Sequence, residues 1–166
     1  REVILLVFAY CIYMLVRRYL VPGAAAIGTD NAVDIISLER DLGLFWEPWL
    51  QTTAADAGDR VLVVFNYLYI LTFFPTIIPI AVVMYILSRE RYLYYRGMIL
   101  LSFAVALVLF ALFPLAPPRF MDIEGIVDTI AVHGPQWYAA REVDVYYNAY
   151  AAMPSLHFSW TFLFGM

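Results

Sequence analysis

Long apolar stretches separated by short polar intervals dominate the chain. Three of them, Val3–Leu20, Val61–Leu87 and Gly97–Ala116, are apolar almost throughout, and a fourth, Ser155–Met166, is shorter. Because about 20 apolar residues cross the hydrocarbon core of a bilayer, the first three are predicted to be spanning helices and the last the start of another. The pattern therefore predicts an all-α integral membrane protein, a polytopic helical bundle, with residues 1–166 forming a single membrane domain.

The first apolar stretch has two alternative interpretations. Arg17 and Arg18 interrupt it, so a spanning helix must place this pair at the interface or begin upstream of Arg1. The alternative is a signal peptide with Ala24–Ala26 as its small-residue cleavage site. Glu2 spoils the basic start of a signal peptide and favours the spanning helix.

The interval 21–60 carries seven acidic and only two basic residues, and its apolar positions recur at helical spacing. This pattern predicts a helix, although Gly43 and Pro48 weaken it. Trp46 and Trp49 are typical of headgroup depth, so one interpretation is an interfacial helix. The other is a helix packed over the mouth of the bundle, which would still border a lipid site.

The second apolar stretch contains Pro75 and Pro79, which predict a kink. A kink near Asn66 and Thr72 could shape a cavity for a lipid tail or headgroup. Prolines are also tolerated in membrane helices for packing alone, and this is the simpler interpretation.

The distribution of arginine predicts the orientation. Ser88–Arg96 holds three arginines and three tyrosines, which is typical of a cytoplasmic loop. The 37-residue loop Pro117–Met153 then lies on the opposite side, and Ile123–Val132 is predicted to form a short helix within it. Its aromatic residues suit the headgroup region; they are Trp137, Tyr138, Tyr146, Tyr147 and Tyr150.

Composition excludes several function classes. The 166 residues are 64% hydrophobic with a net charge of -4, which argues against an ordinary soluble domain and against nucleic acid as a partner. All ten basic residues are arginine, which excludes lysine Schiff-base chemistry and a P-loop lysine. Cys11 is the single cysteine, so an intrachain disulfide and a cysteine-based metal site are excluded. We expect no metal site, because Asp122, Asp128 and Asp144 lack metal-loop spacing and suit a solvated face.

The candidate chemistry lies at the start of the last apolar stretch. Pro154 and Ser155 predict a helix start, because proline fits a first turn and serine can cap free backbone N–H groups. Such a helix end attracts phosphate, which His157 would face and whose leaving oxygen it could protonate. The planar fork of Arg119 could hold two phosphate oxygens, and Ser155 could add a hydroxyl. Each residue alone has a structural alternative: a hydrogen bond between helices for His157, an interfacial anchor for Arg119 and a cap for Ser155.

The segment Asn148–Trp160, with Pro-Ser-Leu-His at its centre, resembles the second signature motif of the type 2 phosphatidic acid phosphatase superfamily. Leu156, where many members carry glycine, and the preceding Ala-Ala-Met are similar to the branch that includes inositol phosphorylceramide synthases. Pro114–Arg119, with the sequence Pro-Leu-Ala-Pro-Pro-Arg, resembles the first motif region of that branch.

The resemblance implies a membrane bundle, usually of six spanning helices, with its site at the outer face of the plasma membrane. In the family a histidine of a third motif attacks the phosphorus, and the second-motif histidine, matched here by His157, protonates the departing alcohol. Water then completes a phosphatase cycle, or an acceptor hydroxyl completes a phosphotransfer. The implied substrate is a phospholipid or polyprenyl phosphate, and neither metal nor cofactor is required.

Two departures from the family pattern stand out. The phosphatase branch has a lysine in its first motif, and this chain has none. The third motif and its nucleophile are missing, because neither His157 nor His133, which we expect in a loop, lies in an Arg-rich stretch followed by aspartate. We therefore expect the front portion of a longer phosphatase or phosphotransferase, inactive alone. The alternative is a non-catalytic membrane module that binds or scaffolds.

Overall fold

The computed structural model describes residues 1–20, 23–135 and 150–165. In this part of the chain every regular element is a helix, and the only strand-like feature is an isolated bridge between Leu115 and Ala151. The prediction of an all-helical fold is confirmed to this extent. The elements are α1 (Glu2–Leu20), α2 (Ala24–Asp41), α3 (Glu47–Asp56), α4 (Asp59–Thr72), α5 (Phe74–Leu87), α6 (Arg89–Leu112), a 3-10 turn (Pro118–Phe120), α7 (Thr129–His133) and α8 (Leu156–Gly165).

Two stretches are long and apolar enough to cross a membrane. They are Asp59–Leu87 with 29 residues, which comprises α4 and α5, and Arg89–Leu112 with 24. Only 17% of the most apolar window of each is buried within the protein, whereas a core helix of a soluble protein would be mostly covered. The apolar part of α1, Glu2–Val16, is shorter. Two predicted spans thus have the required length and composition, while the first span and the start of a fourth stay predictions.

The longer stretch is interrupted at Phe73, which separates α4 from α5. Pro75 cannot donate a backbone hydrogen bond, so the carbonyl of Leu71 loses its helical partner. The hydroxyl of Thr76 donates to that carbonyl instead, at 2.7 Å. The predicted interruption is therefore confirmed at Pro75, whereas α5 continues through Pro79.

The predicted loop Ser88–Arg96 is wrong, because only its first residue is non-helical and α6 begins at Arg89. Arginine and tyrosine are compatible with a helix, and no glycine or proline interrupts the segment. The helix also ends at Leu112 rather than Ala116. Pro114 follows closely, and the residue before a proline is disfavoured in a helix.

The interval 21–60 forms two helices, so the prediction of a single helix is wrong. Gly43 follows α2 with φ +68°, a left-handed conformation that glycine adopts easily. Pro48 lies in the first turn of α3, where its missing N–H has no helical partner to lose. The two residues that weakened the helical pattern are therefore those that divide it.

The bundle helices have defined directions. Glu2 at the start of α1 contacts Arg96 in the first third of α6. Val16 of α1 and Leu156 at the start of α8 both pack against a buried cluster in the second half of α6, formed by Ala106, Leu107 and Phe110. Phe164 near the end of α8 stacks on Tyr95 near the start of α6. The helix α1 is therefore parallel to α6, and α8 is antiparallel to both.

The remaining elements, α2, α3, the 3-10 turn and α7, are called the cap. Ala32 of α2 packs against Leu115 and Ala116, which follow α6. The side-chain amide of Asn31 donates to the carbonyl of Pro114 at 2.8 Å. These contacts place the cap at the end of the bundle where α6 ends and α8 begins. They agree with the interpretation of helices packed over the bundle mouth, while their depth in a membrane stays a prediction.

Candidate functional site

His157 is the second residue of α8 and lies against two aromatic rings, those of Tyr69 in α4 and of Phe73 directly after α4. The imidazole centroid is 4.2 Å from the ring of Tyr69 and 3.9 Å from that of Phe73, and the planes are inclined by 11° and 19°. Phe73 also stacks on Trp160, with centroids 5.3 Å apart. These contacts restrict the plane of the imidazole.

The hydroxyl of Tyr69 lies 3.2 Å from Nδ1 of His157. A tyrosine hydroxyl can both donate and accept, so the contact suits either protonation state of the ring. Because the two rings are nearly parallel, the hydroxyl approaches Nδ1 from outside the imidazole plane, which weakens this bond. Among the described residues no side chain bonds to Nε2 of His157, so this nitrogen has no competing donor or acceptor there.

Arg119 is presented by the 3-10 turn Pro118–Phe120, where proline fixes the backbone. Its Nε lies 3.7 Å from Oδ2 of Asp128, which is too long for a hydrogen bond. The guanidinium carbon lies 5.0 Å from the ring centroid of Phe120. The guanidinium is thus positioned, and no residue in the described part of the chain accepts a hydrogen bond from it, so its strong donors can serve a ligand.

Asp128 has two roles that use different oxygens. Oδ1 accepts the N–H groups of Ile130 at 3.1 Å and Ala131 at 3.0 Å and so caps α7, while Oδ2 faces Arg119. The side chain of Asp128 is 34% exposed, so the predicted solvated position holds in part, and the structure adds the role of helix cap. The short helix predicted nearby is found as α7, and it ends at His133, which we had expected in a loop.

Two amide side chains hold the backbone on either side of Asp128. Gln51 of α3 donates to the carbonyl of Val127 at 2.6 Å and accepts the N–H of Val127 at 3.2 Å. Asn66 of α4 is 6% exposed; it donates to the carbonyl of Thr129 at 2.7 Å and accepts the Thr129 hydroxyl at 3.0 Å. These paired bonds leave few buried polar groups unsatisfied and fix Asp128 relative to α3 and α4.

Two cavities meet at Arg119. Cavity 1, of about 550 Å³, lies between α4 and α7, and cavity 2, of about 270 Å³, lies between α3 and the segment 117–130. Phe65, Leu68, Tyr69 and Thr72 line cavity 1, whereas Glu47, Pro117 and Asp128 line cavity 2.

Cavity 2 is lined by two carboxylates, those of Glu47 and Asp128, together with the guanidinium of Arg119. Partial burial, and secondarily the carboxylate of Glu47, raises the pKa of Glu39 above its usual value. A ligand group in cavity 2 therefore lies among carboxylates.

Ser155 is the N-cap of α8, since its Oγ accepts the N–H of Phe158 at 3.2 Å. The helix begins at Leu156, so the predicted helix start is confirmed, while Pro154 lies before the first turn rather than in it. Ser155 lines neither cavity.

The structure brings some of the predicted site residues together. Arg119 and Tyr69 line cavity 1, and Tyr69 stacks on His157, so the imidazole is adjacent to the wall of that cavity. Ser155 takes no part in this arrangement beyond starting α8. Several other predicted residues lie outside the described residues; they are Trp137, Tyr138, Asp144, Tyr146 and Tyr147.

The sequence did not indicate Tyr69 or Phe73 as site residues. It indicated Asn66 only as a residue near a possible lipid cavity. A signal was available, because the spacing i, i+3 and i+7 predicts one face of a helix for the three residues. A polar and aromatic face in the uncharged stretch Val61–Leu87 is the pattern that could have indicated the site.

A family model described as PAP2 superfamily matches residues 33–166. The match covers more than half of the chain and includes Arg119, Ser155 and His157, whereas α1 lies outside it. No curated protein and no solved structure matches the chain.

Proposed function

Because the chain belongs to the PAP2 superfamily, which indicates phosphatase or phosphotransferase activity on phosphate esters, we propose that it supplies the phosphate anchor and the acid of a membrane-embedded lipid phosphatase or phosphotransferase. Arg119 holds the phosphate, and His157 protonates the departing alcohol. The observation that carries this proposal is the position of Tyr69, which lines the cavity of Arg119 and stacks on His157. The family's attacking histidine has no counterpart in these 166 residues, so the nucleophile is left unassigned.

The substrate class follows from the surface beside cavity 1. Phe65 and Leu68 line this cavity, yet they are 59% and 50% exposed on the apolar exterior of α4. A lipid in the surrounding bilayer could reach the cavity along these side chains without crossing water. We therefore propose a phospholipid or polyprenyl phosphate, with specificity similar to the inositol phosphorylceramide synthase branch.

The arginine distribution supports the proposed orientation. Arg89, Arg91 and Arg96 lie at the start of α6, an arrangement typical of a cytoplasmic end. The cap and Arg119 then lie at the outer face, and the plasma membrane is the proposed location.

The proposed chemistry uses His157 through Nε2. Arg119 neutralises charge on the equatorial phosphate oxygens. As the unassigned nucleophile forms its bond to phosphorus, the P–O bond to the lipid alcohol breaks, and the imidazolium gives its proton to the leaving oxygen. The ring stack holds the imidazole while it carries the proton, and an aromatic face also stabilises a cation.

The test measures turnover of substrates that differ in their leaving group. It uses the full-length encoded protein, reconstituted in lipid micelles. We expect His157→Ala to lower turnover of phosphatidic acid and phosphatidylglycerol by about 10²- to 10⁴-fold, the usual contribution of a general acid. Turnover of p-nitrophenyl phosphate should fall much less, because nitrophenolate leaves without a proton. His133→Ala is the matched control and should leave both rates unchanged.

Equal losses for both kinds of substrate, or unchanged lipid turnover, would refute the acid role of His157. Binding of lipid phosphates without any turnover by the unmodified protein would favour the non-catalytic module. Adding an inositol lipid together with a lipid alcohol separates transfer from hydrolysis, since only transfer gives exchange.

A further inference from the structure

We propose that Tyr150 is a positioning residue that fixes Arg119, which holds the phosphate, relative to His157, which donates the proton. Its ring fills a notch of α2 at Gly28, and its backbone joins the segments that carry the two site residues. This inference rests on the proposed roles of Arg119 and His157, and it adds the residue that sets the distance between them.

The segments that carry Arg119 and His157 are joined by two backbone hydrogen bonds. The N–H of Leu115 donates to the carbonyl of Tyr150 at 2.9 Å, and the N–H of Ala152 donates to the carbonyl of Leu115 at 3.2 Å. Leu115 lies four residues before Arg119. Ala152 lies five residues before His157. These bonds therefore pair the two segments shortly before each of them presents its side chain.

The ring of Tyr150 extends this connection to the guanidinium. Its centroid lies 6.0 Å from that of Phe120 at an interplanar angle of 60°, an edge contact that aromatic pairs favour. The guanidinium carbon of Arg119 lies 5.0 Å from the centroid of Phe120. A displacement of the Tyr150 ring therefore reaches Arg119 through a single intervening side chain.

Gly28 of α2 provides the space for this ring. The residue is buried, and a Cβ atom built on it would lie 3.1 Å from Cδ1 of Tyr150, closer than most such contacts in proteins. The same Cβ would lie 3.4 Å from the backbone nitrogen of Ala116, whose N–H donates to the carbonyl of Gly28 at 2.9 Å. Because that hydrogen bond holds the backbone of Ala116, a side chain at position 28 must push the ring.

The notch belongs to a packed contact between α2 and the paired segments. Leu115 and Ala116 are buried against α2, and Tyr150 packs against the same cluster. Gly28 lies outside residues 33–166, which the family model matches. The notch is therefore contributed by a part of the cap that membership of the family does not predict.

The consequence is a fixed geometry for proton transfer. A general acid has to lie within hydrogen-bond reach of the leaving oxygen. A phosphate follows the guanidinium that holds it, so a shift of Arg119 against His157 takes the leaving oxygen away from the imidazole while the phosphate stays bound. A misplacement of about 1 Å can lower a rate by about 10²-fold. Disturbing Tyr150 should therefore lower kcat for substrates that need a proton and leave KM nearly unchanged.

The first experiment places a side chain in the notch and leaves Tyr150 itself unchanged. In the full-length encoded protein in lipid micelles, Gly28→Val should lower kcat for phosphatidic acid by about 10- to 10²-fold, with KM within about twofold. Turnover of p-nitrophenyl phosphate should fall much less, because nitrophenolate leaves without a proton. Gly97→Val in α6 is the matched control and should change neither rate, because a Cβ there meets nothing within 4 Å.

A double variant shows whether the notch acts through the ring. Tyr150→Ala should itself lower kcat for phosphatidic acid, because Phe120 and Arg119 lose their support. Adding Gly28→Val to Tyr150→Ala should then cost much less than in the unmodified protein, since the ring that it displaces is absent. Losses that simply multiply would overturn the inference.

A second measurement needs no turnover. The ring current of Phe120 shifts the NMR resonances of the δ-methylene protons of Arg119, so these resonances report the position of the arginine side chain against that ring. They are assigned by their loss in Arg119→Gln. Gly28→Val should move them, and Gly97→Val should not. Unmoved resonances in Gly28→Val would overturn the inference in an active and in an inactive protein alike.

The outcomes separate this inference from the proposed function. If His157→Ala selectively lowers lipid turnover while Gly28→Val matches its control, the positioning role of Tyr150 is wrong and the proposed acid stands. A raised KM at unchanged kcat in Gly28→Val would assign the notch to substrate binding and also overturn the inference. If His157→Ala leaves lipid turnover unchanged while Gly28→Val moves the Arg119 resonances, the acid role is wrong and the positioning of the guanidinium stands.

Discussion

Two arginines near opposite ends of the bundle show how a structural guanidinium differs from one that is available to a ligand. Arg96 donates to both carboxylate oxygens of Glu2, at 2.9 and 2.8 Å, and Tyr92 donates to the same carboxylate at 2.8 Å. Among the described residues, Arg119 lies beside Asp128 at 3.7 Å and over the ring of Phe120, and neither contact is a hydrogen bond. Their side chains are equally exposed, 31% and 32%, so exposure does not separate them. Hydrogen-bond geometry separates them. Arg96 links α1 to α6 through its bonds to Glu2, whereas Arg119 faces the two cavities.

The largest expected effect comes from replacing each arginine by glutamine. Arg119→Gln should weaken binding of a lipid phosphate by about ten- to a hundredfold, because it removes hydrogen bonds to a charged ligand worth about 1.5–3 kcal/mol. Arg96→Gln should lower the thermal unfolding midpoint and leave the affinity unchanged. Ligand titration and thermal unfolding of both variants in the same micelles measure this difference. If Arg96→Gln weakens binding as strongly as Arg119→Gln, the comparison fails.

The next effect concerns the support of the cap. Asn66→Ala should lower stability by about 1–3 kcal/mol, because the half-buried hydroxyl and carbonyl of Thr129 lose the two hydrogen bonds that Asn66 makes to them. It should also weaken lipid phosphate binding, since α7 and Asp128 lose their connection to α4. Thermal unfolding and ligand titration provide the two readouts.

Asn31→Ala is the matched control for this variant, because Asn31 also donates to a backbone carbonyl but lies away from both cavities. It should lower stability without weakening binding. A loss of affinity equal to that of Asn66→Ala would show that general loosening of the cap, rather than the position of α7, determines binding.

A smaller effect is expected at Tyr69. Tyr69→Phe keeps the stacked ring and removes a hydroxyl whose bond to His157 is weak, so lipid turnover should fall by only about two- to fivefold, within the usual value of one neutral hydrogen bond. Turnover of p-nitrophenyl phosphate should stay constant, since it needs no acid. Tyr94→Phe, at an exposed tyrosine near the start of α6 and so at the other end of the bundle from His157, should change neither rate. A larger loss with the activated substrate would contradict an effect that acts through His157.

The smallest expected effect is the pH dependence of the stability that the contact between Glu2 and Arg96 provides. Hydrogen bonds from Arg96, and then from Tyr92, hold the pKa of Glu2 below its usual value of 4.5. A lowered pKa in the folded protein means that this stabilisation is complete above 4.5 and is lost as the pH falls through the lower, folded value. The unfolding midpoint should therefore fall on acidification below 4.5, and Glu2→Gln should reduce this dependence. An equal acid response in both proteins would assign it to other carboxylates.

The parts of the fold that local chemistry determines could be predicted from the sequence. Apolar runs predicted the helices, Pro75 predicted a kink where the longer stretch is interrupted, and Ser155 predicted the start of α8. The segment Ser88–Arg96 was predicted wrongly because clustered arginines indicate a side of the membrane, not a backbone conformation. Gly43 divides the cap helices through a positive φ, which sequence spacing indicates only weakly.

The candidate site could be predicted only in part. His157 and Arg119 were found through short motifs that are local in sequence. The contacts that position them join residues far apart along the chain, as between Tyr69 and His157 or between Gln51 and Val127, and spacing contains no information about such pairs. Paired contacts of this kind follow from the packing of the cap on α4, which no single segment determines.

Phe73 has two structural roles, one through its backbone and one through its ring. Its backbone ends α4 ahead of Pro75, and its ring lies 3.9 Å from the imidazole of His157. In a bilayer whose thickness changes, spanning helices adjust by tilting. If α4 and α5 span a bilayer, as we propose, a tilt of α5 against α4 would displace the ring of Phe73 and with it the proposed proton donor His157. The thickness of the membrane would then be a variable of the proposed reaction.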